Sequence, residues 1–400
     1  MVKNSDLAGD RLSMLETLYG YNGKQLNLHA LGIVVSLSGI LVIAPMLPEI
    51  IDDFGITAAE AGGSISFMWA CNALAQYPGG RYSERLSSNV VLLASQGVMG
   101  AGFLLLVLSN AFPLFIVAIG LIGFGYGMFE PAGIVLLQNL FDENRGQALG
   151  IRDAAANLGS ALSAVLAITV VGAAAWRAAF VPVVALLGVL VVGGHRLNRE
   201  PYTVSRVPLD VQSVGTRLFR SRETYAILFV LAVFNFVWQG SASFLPTFLQ
   251  VEKSLTSFQA TVAFASIFLI GMLVTPIAGA LCERWSPINL GVGATGFGIV
   301  GLGAILGTDS LVGLGVGLVV FAVGLTTIWP VMFVYLTDAL AQETVGSDLG
   351  ALRGVYFAVG SLGPAYVGTV ATRFSYTVSF SSLLLCFGLT MLALLWLGSR

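Results

Sequence analysis

Residues 254–282 and 310–337 contain no charged side chain at all. Each run is longer than the roughly 20 apolar residues that carry a helix across a bilayer. Ten more predominantly apolar runs of similar length accompany them. The full set is 28–50, 59–82, 88–109, 112–140, 146–172, 176–197, 224–250, 257–283, 287–308, 310–338, 349–373 and 376–397. The runs are continuous, whereas a membrane β-barrel alternates apolar and polar residues over about 10-residue strands. An all-α chain with twelve membrane-spanning helices is therefore expected. The 48 glycines suit helices packed closely in lipid. Residues 1–27 are polar and mixed, and the first apolar run is already full length, so no cleavable signal peptide is expected.

Composition narrows the function. Only 10% of the 400 residues are charged and 56% are hydrophobic, where a soluble chain carries about 25% charge. That supply is too small to give two or three soluble domains a polar skin. Soluble enzymes, disordered scaffolds and nucleic-acid binders are excluded on this ground. Cys71, Cys282 and Cys386 lie in apolar runs and form neither a disulfide framework nor a metal cluster pattern. With His29 and His195 as the two histidines, zinc and haem sites lack ligands, and no cofactor is expected. No Gly-x-x-x-x-Gly-Lys-Ser/Thr run occurs, so ATP does not drive the protein. A membrane enzyme or sensor is a remote alternative, because no nucleophile, base or metal constellation is visible.

Lysine and arginine placement predicts orientation. With both ends inside the cell, Lys3, Arg11 and Lys24 are cytoplasmic, as are Arg81, Arg85, Arg145, Arg284 and Arg353 in inner loops. The central linker adds Arg196, Arg199, Arg206, Arg217, Arg220 and Arg222, and Arg400 ends the chain. Arg177, Lys253 and Arg373 fall outside. The excess predicts a multi-pass protein of the cell membrane with cytoplasmic termini.

The chain repeats itself. Gly80, Glu84 and Arg85 return as Gly279, Glu283 and Arg284, 199 residues on. The same offset carries Glu130-Pro131 onto Trp329-Pro330. Two landmarks at one spacing predict a duplication of six spans. The expected division is a tail at 1–27, a first six-helix bundle at 28–197, a linker at 198–223 and a second bundle at 224–400. Parallel repeats of this kind build transporters with a midplane solute site between the halves.

The run Gly80-Arg-Tyr-Ser-Glu84-Arg85-Leu resembles the loop motif of the major facilitator superfamily, Gly-x-Leu-Ala-Asp-Arg-x-Gly-Arg-Arg. Tyr82 stands for Leu and Glu84 for Asp, and Ser87, Ser88 and Asn89 replace the usual Gly and basic pair. Gly123-Phe-Gly125-Tyr-Gly127, Asn144-Arg145-Gly146-Gln-Ala-Leu-Gly150 and Trp176-Arg177-Ala-Ala-Phe180 are similar to further stretches of that family. The resemblance implies two six-helix bundles related by a pseudo-twofold axis. It also implies a solute path lined by spans 1, 4, 7 and 10, and a loop that latches the cytoplasmic side shut. Glu84 is expected near the start of span 11, around Leu349, where a helix N-terminus stabilises a carboxylate by roughly 0.3–1 kcal/mol.

An ionisable group within a span is a functional candidate by default, because lipid penalises it. Glu130 in span 4 and Arg152 and Asp153 in span 5 qualify. At 1.5 Å per residue they lie about 12–18 Å into the bilayer. Glu130 and Arg152 are at pairing depth, while Asp153 is expected to point about 100° away around its helix. Three readings compete: an ion pair that staples two helices, a site for the polar part of a solute, and a carboxylate (Glu130 or Asp153) that carries a coupling proton. Anchoring Leu158-Gly159 on Leu362-Gly363 places Tyr356 and Phe357 opposite Arg152 and Asp153. The second half then offers aromatic and amide groups: Asn235, Trp238 and Gln239, with Thr326, Thr327, Trp329 and Tyr356, expected around one cavity. With one embedded arginine, phosphate esters and dicarboxylates are disfavoured.

These readings converge on a monomeric secondary transporter in a lipid bilayer, working by alternating access and coupled to protons. Its solute is a small organic molecule, neutral or singly charged. Proton-driven export of lipophilic or cationic drugs is the alternative, although residues 155–164 lack the Gly-x-x-x-Gly-Pro-x-x-Gly-Gly signature of the family's antiporters.

Overall fold

The structure is a computed structural model and describes residues 20–141, 144–170, 176–199, 201–202, 205, 207–218, 222–282, 284–338 and 345–399. The described residues form helices and connecting turns, with no strand. Twelve spans follow one another. They are α1 (Gly20–Leu41, continuing as Ile43–Phe54), α2 (Ala58–Arg85), α3 (Ser88–Val107), α4 (Phe112–Leu140) and α5 (Arg145–Val170). α6 (Val181–Leu197) is entered through a tight turn at Trp176–Phe180. After a short linker helix, Val211–Leu218, come α7 (Arg222–Val251), α8 (Ser257–Cys282), α9 (Pro287–Gly307) and α10 (Leu311–Asp338). α11 (Val345–Gly360, then Leu362–Arg373) and α12 (Tyr376–Gly398) complete the set.

The two interrupted spans share a cause. A proline ring displaces the carbonyl four residues earlier and removes one N–H donor. Pro45 does this at Leu41, and Pro364 does it at Gly360. Each is the last residue of the first helical segment of its span. In α1 the bonds from the Val42 N–H to Ser38 and from the Met46 N–H to Val42 carry the chain through the bend. α2 starts cleanly, with Thr57 and Glu60 exchanging the reciprocal bonds of a capping box.

The spans assemble as two six-helix bundles. α2 and α3 pack on α4 in the first, and α9 packs on α10 and α12 in the second. The halves meet along α2 against α11 and α5 against α8. Ten spans are long and apolar enough to cross a membrane by their own composition. The two that fall short are α2 and α11, which pack on each other. Both carry polar side chains on the internal seam, Gln76 on α2 and Arg353 on α11, which bond each other across it.

That seam is built of glycine. A Cβ on Gly80 would strike the Gly346 carbonyl, one on Gly62 the Pro364 carbonyl, and one on Gly368 the Ala58 carbonyl. Between those ends, a Cβ on Gly350 would lie 2.6 Å from the Gln76 carbonyl oxygen. Small residues let helix backbones touch in this way.

Candidate functional site

Four helices bring the embedded charges together. Glu130 comes from α4, Arg152 and Asp153 from α5, Arg353 from α11, and Gln76 from α2. Arg152 donates to the Glu130 carboxylate at 2.5 Å and to Asp153 at 2.6 Å. Arg353 donates to the other oxygen of Glu130 and, through Nε, to Gln76 Oε1 at 3.1 Å. Gln76 in turn donates to Asn72 at 3.1 Å. Glu130 is 5% exposed and Arg353 8%, so this carboxylate is shared by two guanidinium groups away from water. The rigid planar fork of arginine suits such shared recognition of a carboxylate.

Arg353 corrects the sequence reading. It belongs to no inner loop; it lies two turns inside α11, and two arginines are embedded instead of one. The signal was present in the chain. Gly146, Leu149 and Gly150 precede Arg152, and Gly346, Leu349 and Gly350 precede Arg353, at an offset of 200 for the three matching residues. The Leu158–Leu362 anchor lies beyond the break in α11 and slips the comparison by about one turn. Asp153 also departs from expectation. Its side chain is half exposed, yet it turns back to pair with Arg152.

The aromatic wall divides into two groups. Trp329 contacts Phe234, Trp238 and Tyr356, with ring centroids 5.4, 5.9 and 6.2 Å away. Tyr356 stacks on Phe357 at 5.1 Å, and the Arg353 guanidinium lies 5.5 Å from the centre of the Phe357 ring. Trp69 of the first half stacks on the same ring at 5.9 Å. Asn235 and Gln239 do not join this wall. They bond to each other at 3.0 Å, and Asn235 presses on Gly360 at the break in α11. The Thr326 and Thr327 hydroxyls donate to their own helix, at Ala322 and Val323, each at 2.7 Å.

At the end of the molecule where α1 starts and α12 finishes, here called the terminal end, Glu84 accepts a hydrogen bond from the Ser347 N–H at 2.7 Å. The contact falls in the first turn of α11, where unpaired amides and the helix dipole favour an anion. Arg81 stands 3.8 Å from the same carboxylate, while Arg85 is exposed. The second copy of the motif has a different setting. Gly279 faces open space, Arg284 is exposed, and Glu283 lies outside the described residues. At the opposite end, Arg177 ties the start of α6 to Asp53 at 2.8 Å and to the Ser109 carbonyl at 2.6 Å. Among the described residues, no group of three His, Cys, Asp or Glu is placed to hold a metal.

Twelve helices in two bundles, closing on charge buried about 10–15 Å along the spans from one end, define a polytopic carrier. The chain belongs to the Major Facilitator Superfamily, whose pattern it matches over residues 30–364. It is similar to a probable nitrate transporter, NarT, of Staphylococcus carnosus (strain TM300). The two are 22% identical over 381 residues, 94% of this chain and 95% of the relative. The fosmidomycin resistance protein of Escherichia coli (strain K12) is 24% identical over 376 residues, 89% of this chain and 87% of the relative. A probable L-galactonate transporter of the same strain is 25% identical over 238 residues, 55% of this chain and 52% of the relative. Among solved structures, a bacterial homolog of the human lysosomal transporter Spinster, inward-facing and occupied, superimposes with a TM-score of 0.79 at 15% identity. That match covers 95% of this chain and 97% of the other.

Proposed function

We propose that this transporter moves a small organic anion together with protons, by alternating access. The observation that carries the reading is the convergence of Arg152 and Arg353, one from each half, on Glu130. While Glu130 is ionised it occupies both guanidinium groups. Protonation frees them, and an anion can take the place that the carboxylate gave up. Proton and anion therefore bind as a set, which is the requirement for coupling. Asp153, held on Arg152, is the second candidate for the proton. The nitrate and galactonate in the names of two relatives are anions, which supports the same solute class.

Each half presents one arginine, so closure of the bundles (28–197 and 224–400, joined by the linker 198–223) assembles the site. The Glu84–Ser347 contact serves as the latch at the terminal end. The bias of lysine and arginine toward that end supports cytoplasmic termini in the cell membrane. The protein is expected to work as a monomer.

Export is the second reading, and the relative named for fosmidomycin resistance favours it. Proteoliposomes with an imposed pH gradient, tested against carboxylates, sulfonates, sugars and cationic drugs, separate the two. Gradient-driven accumulation of an anion supports the proposal. Flux of cations or neutral sugars alone overturns it.

A further inference from the structure

His29 belongs to the first segment of α1 and is 3% exposed. Neither Nδ1 nor Nε2 has a hydrogen-bond partner. The ring packs on Phe129 at a centroid distance of 4.9 Å and covers Gly133, where any Cβ would collide with it. Gly133 is three residues beyond Glu130, on the same face of α4 and about 5–6 Å away. Counted along their helices, His29, Glu130, Arg152 and Arg353 all lie about 10–15 Å from the terminal end.

Burying a polar group without a hydrogen-bond partner is costly. A neutral imidazole has one donor and one acceptor to satisfy. Only a glycine at position 133 leaves room for the ring beside α4. A carboxylate oxygen on a solute would serve only the donor. A hydroxyl gives and takes a hydrogen bond, so it can serve either nitrogen. Charge points the same way. Glu130, Asp153, Arg152 and Arg353 sum to zero, so one added anionic group with one proton stays balanced, and a second anionic group does not.

We propose that His29 is a solute ligand, bonding a hydroxyl group of the transported anion while Arg152 and Arg353 hold its charged end. The substrate class is then a small hydroxylated monoanion, with the hydroxyl a few bonds from the charge. This rests on the anion reading above and goes one step further.

The test uses two pairs of probes, glycolate against acetate and gluconate against 2-deoxygluconate, binding to the purified full-length protein. Wild type is expected to bind the hydroxylated member about tenfold more tightly, the effect of one buried hydrogen bond. His29→Phe should remove that preference and leave the affinity for the deoxy member within a few-fold. His29→Asn keeps a donor and an acceptor and should retain part of the preference, which separates ligation from folding damage. Equal wild-type affinity within each pair, or a preference that survives His29→Phe, overturns the assignment and leaves the anion reading standing. Failure of wild type to bind any of the four anions overturns the assignment of His29 and its hydroxylated substrate class, while the anion reading is decided separately by the flux measurements.

Discussion

Arg152 and Arg353 occupy matching turns of α5 and α11, but their attachments differ. Arg152 is held inside its own half, by Glu130 and Asp153. Arg353 reaches across the seam, to Glu130 and Gln76. One arginine is therefore fixed furniture of the first bundle, and the other must release its partners whenever the halves part. The proposed mechanism would then give them different work: Arg152 would keep the site charged as the halves move, and Arg353 would report whether they are closed.

Glu130→Gln removes the group that joins the two arginines and should have the largest effect. Gln mimics the protonated acid, so concentrative uptake is expected to vanish while solute binding and downhill exchange persist. Uptake into proteoliposomes with and without a pH gradient reads this out. Accumulation against a gradient by the Gln variant would shift the coupling role to Asp153, tested next by Asp153→Asn.

The arginines themselves come next. Lysine keeps the charge and loses the fork. Arg152→Lys leaves Glu130 and Asp153 to compete for one ammonium, and about 3–5 kcal/mol is at stake when a buried pair is broken. It should lower both thermal stability and solute affinity. Arg353→Lys should weaken affinity about as much with a smaller loss of stability, because Glu130 keeps Arg152. Paired thermal melts and binding isotherms check the asymmetry. Equal losses of stability, or normal transport by Arg152→Met, would break the comparison.

Gly80→Val drives a side chain into the Gly346 backbone. Overpacking of this kind costs about 1–3 kcal/mol, here charged to the closed seam. Crosslinking between cysteines placed on α2 and α11 at the terminal end should fall several-fold. Glu84→Gln is the mildest change. Losing about 0.3–1 kcal/mol at the α11 N-terminus should shift the same crosslinking two- to fivefold and slow turnover. Unchanged crosslinking and unchanged transport would remove the latch role.

The twelve spans were legible because lipid demands long apolar runs, and the duplication because Glu130-Pro131 and Trp329-Pro330 share an offset with the loop motif. The contact of Glu84 with the start of α11 followed from the family resemblance. Arg353 stands near the end of its apolar run, where an arginine also reads as a loop residue. Burial alone distinguishes the two. Asn235 and Gln239 were grouped with Trp238 by proximity in sequence. They are four apart and bond each other, whereas Trp238 lies about 60° from Asn235 and about 100° from Gln239 around the helix. His29 gave no signal of its own, since only the packing shows that both its nitrogens lack partners.

The glycine seam between α2 and α11 works as a plain bearing where interlocked side chains would make a gear. Gly62, Gly80, Gly350 and Gly368 set backbone against backbone from one end of the contact to the other. A rocking motion along such a track drags few side chains from one rotamer to the next. Resistance to motion then comes from the specific contacts that cross the track, among them Glu84–Ser347 at the rim and Glu130–Arg353 deeper in. In the proposed mechanism the first sets how readily the terminal end opens, and the second makes opening depend on what the site contains.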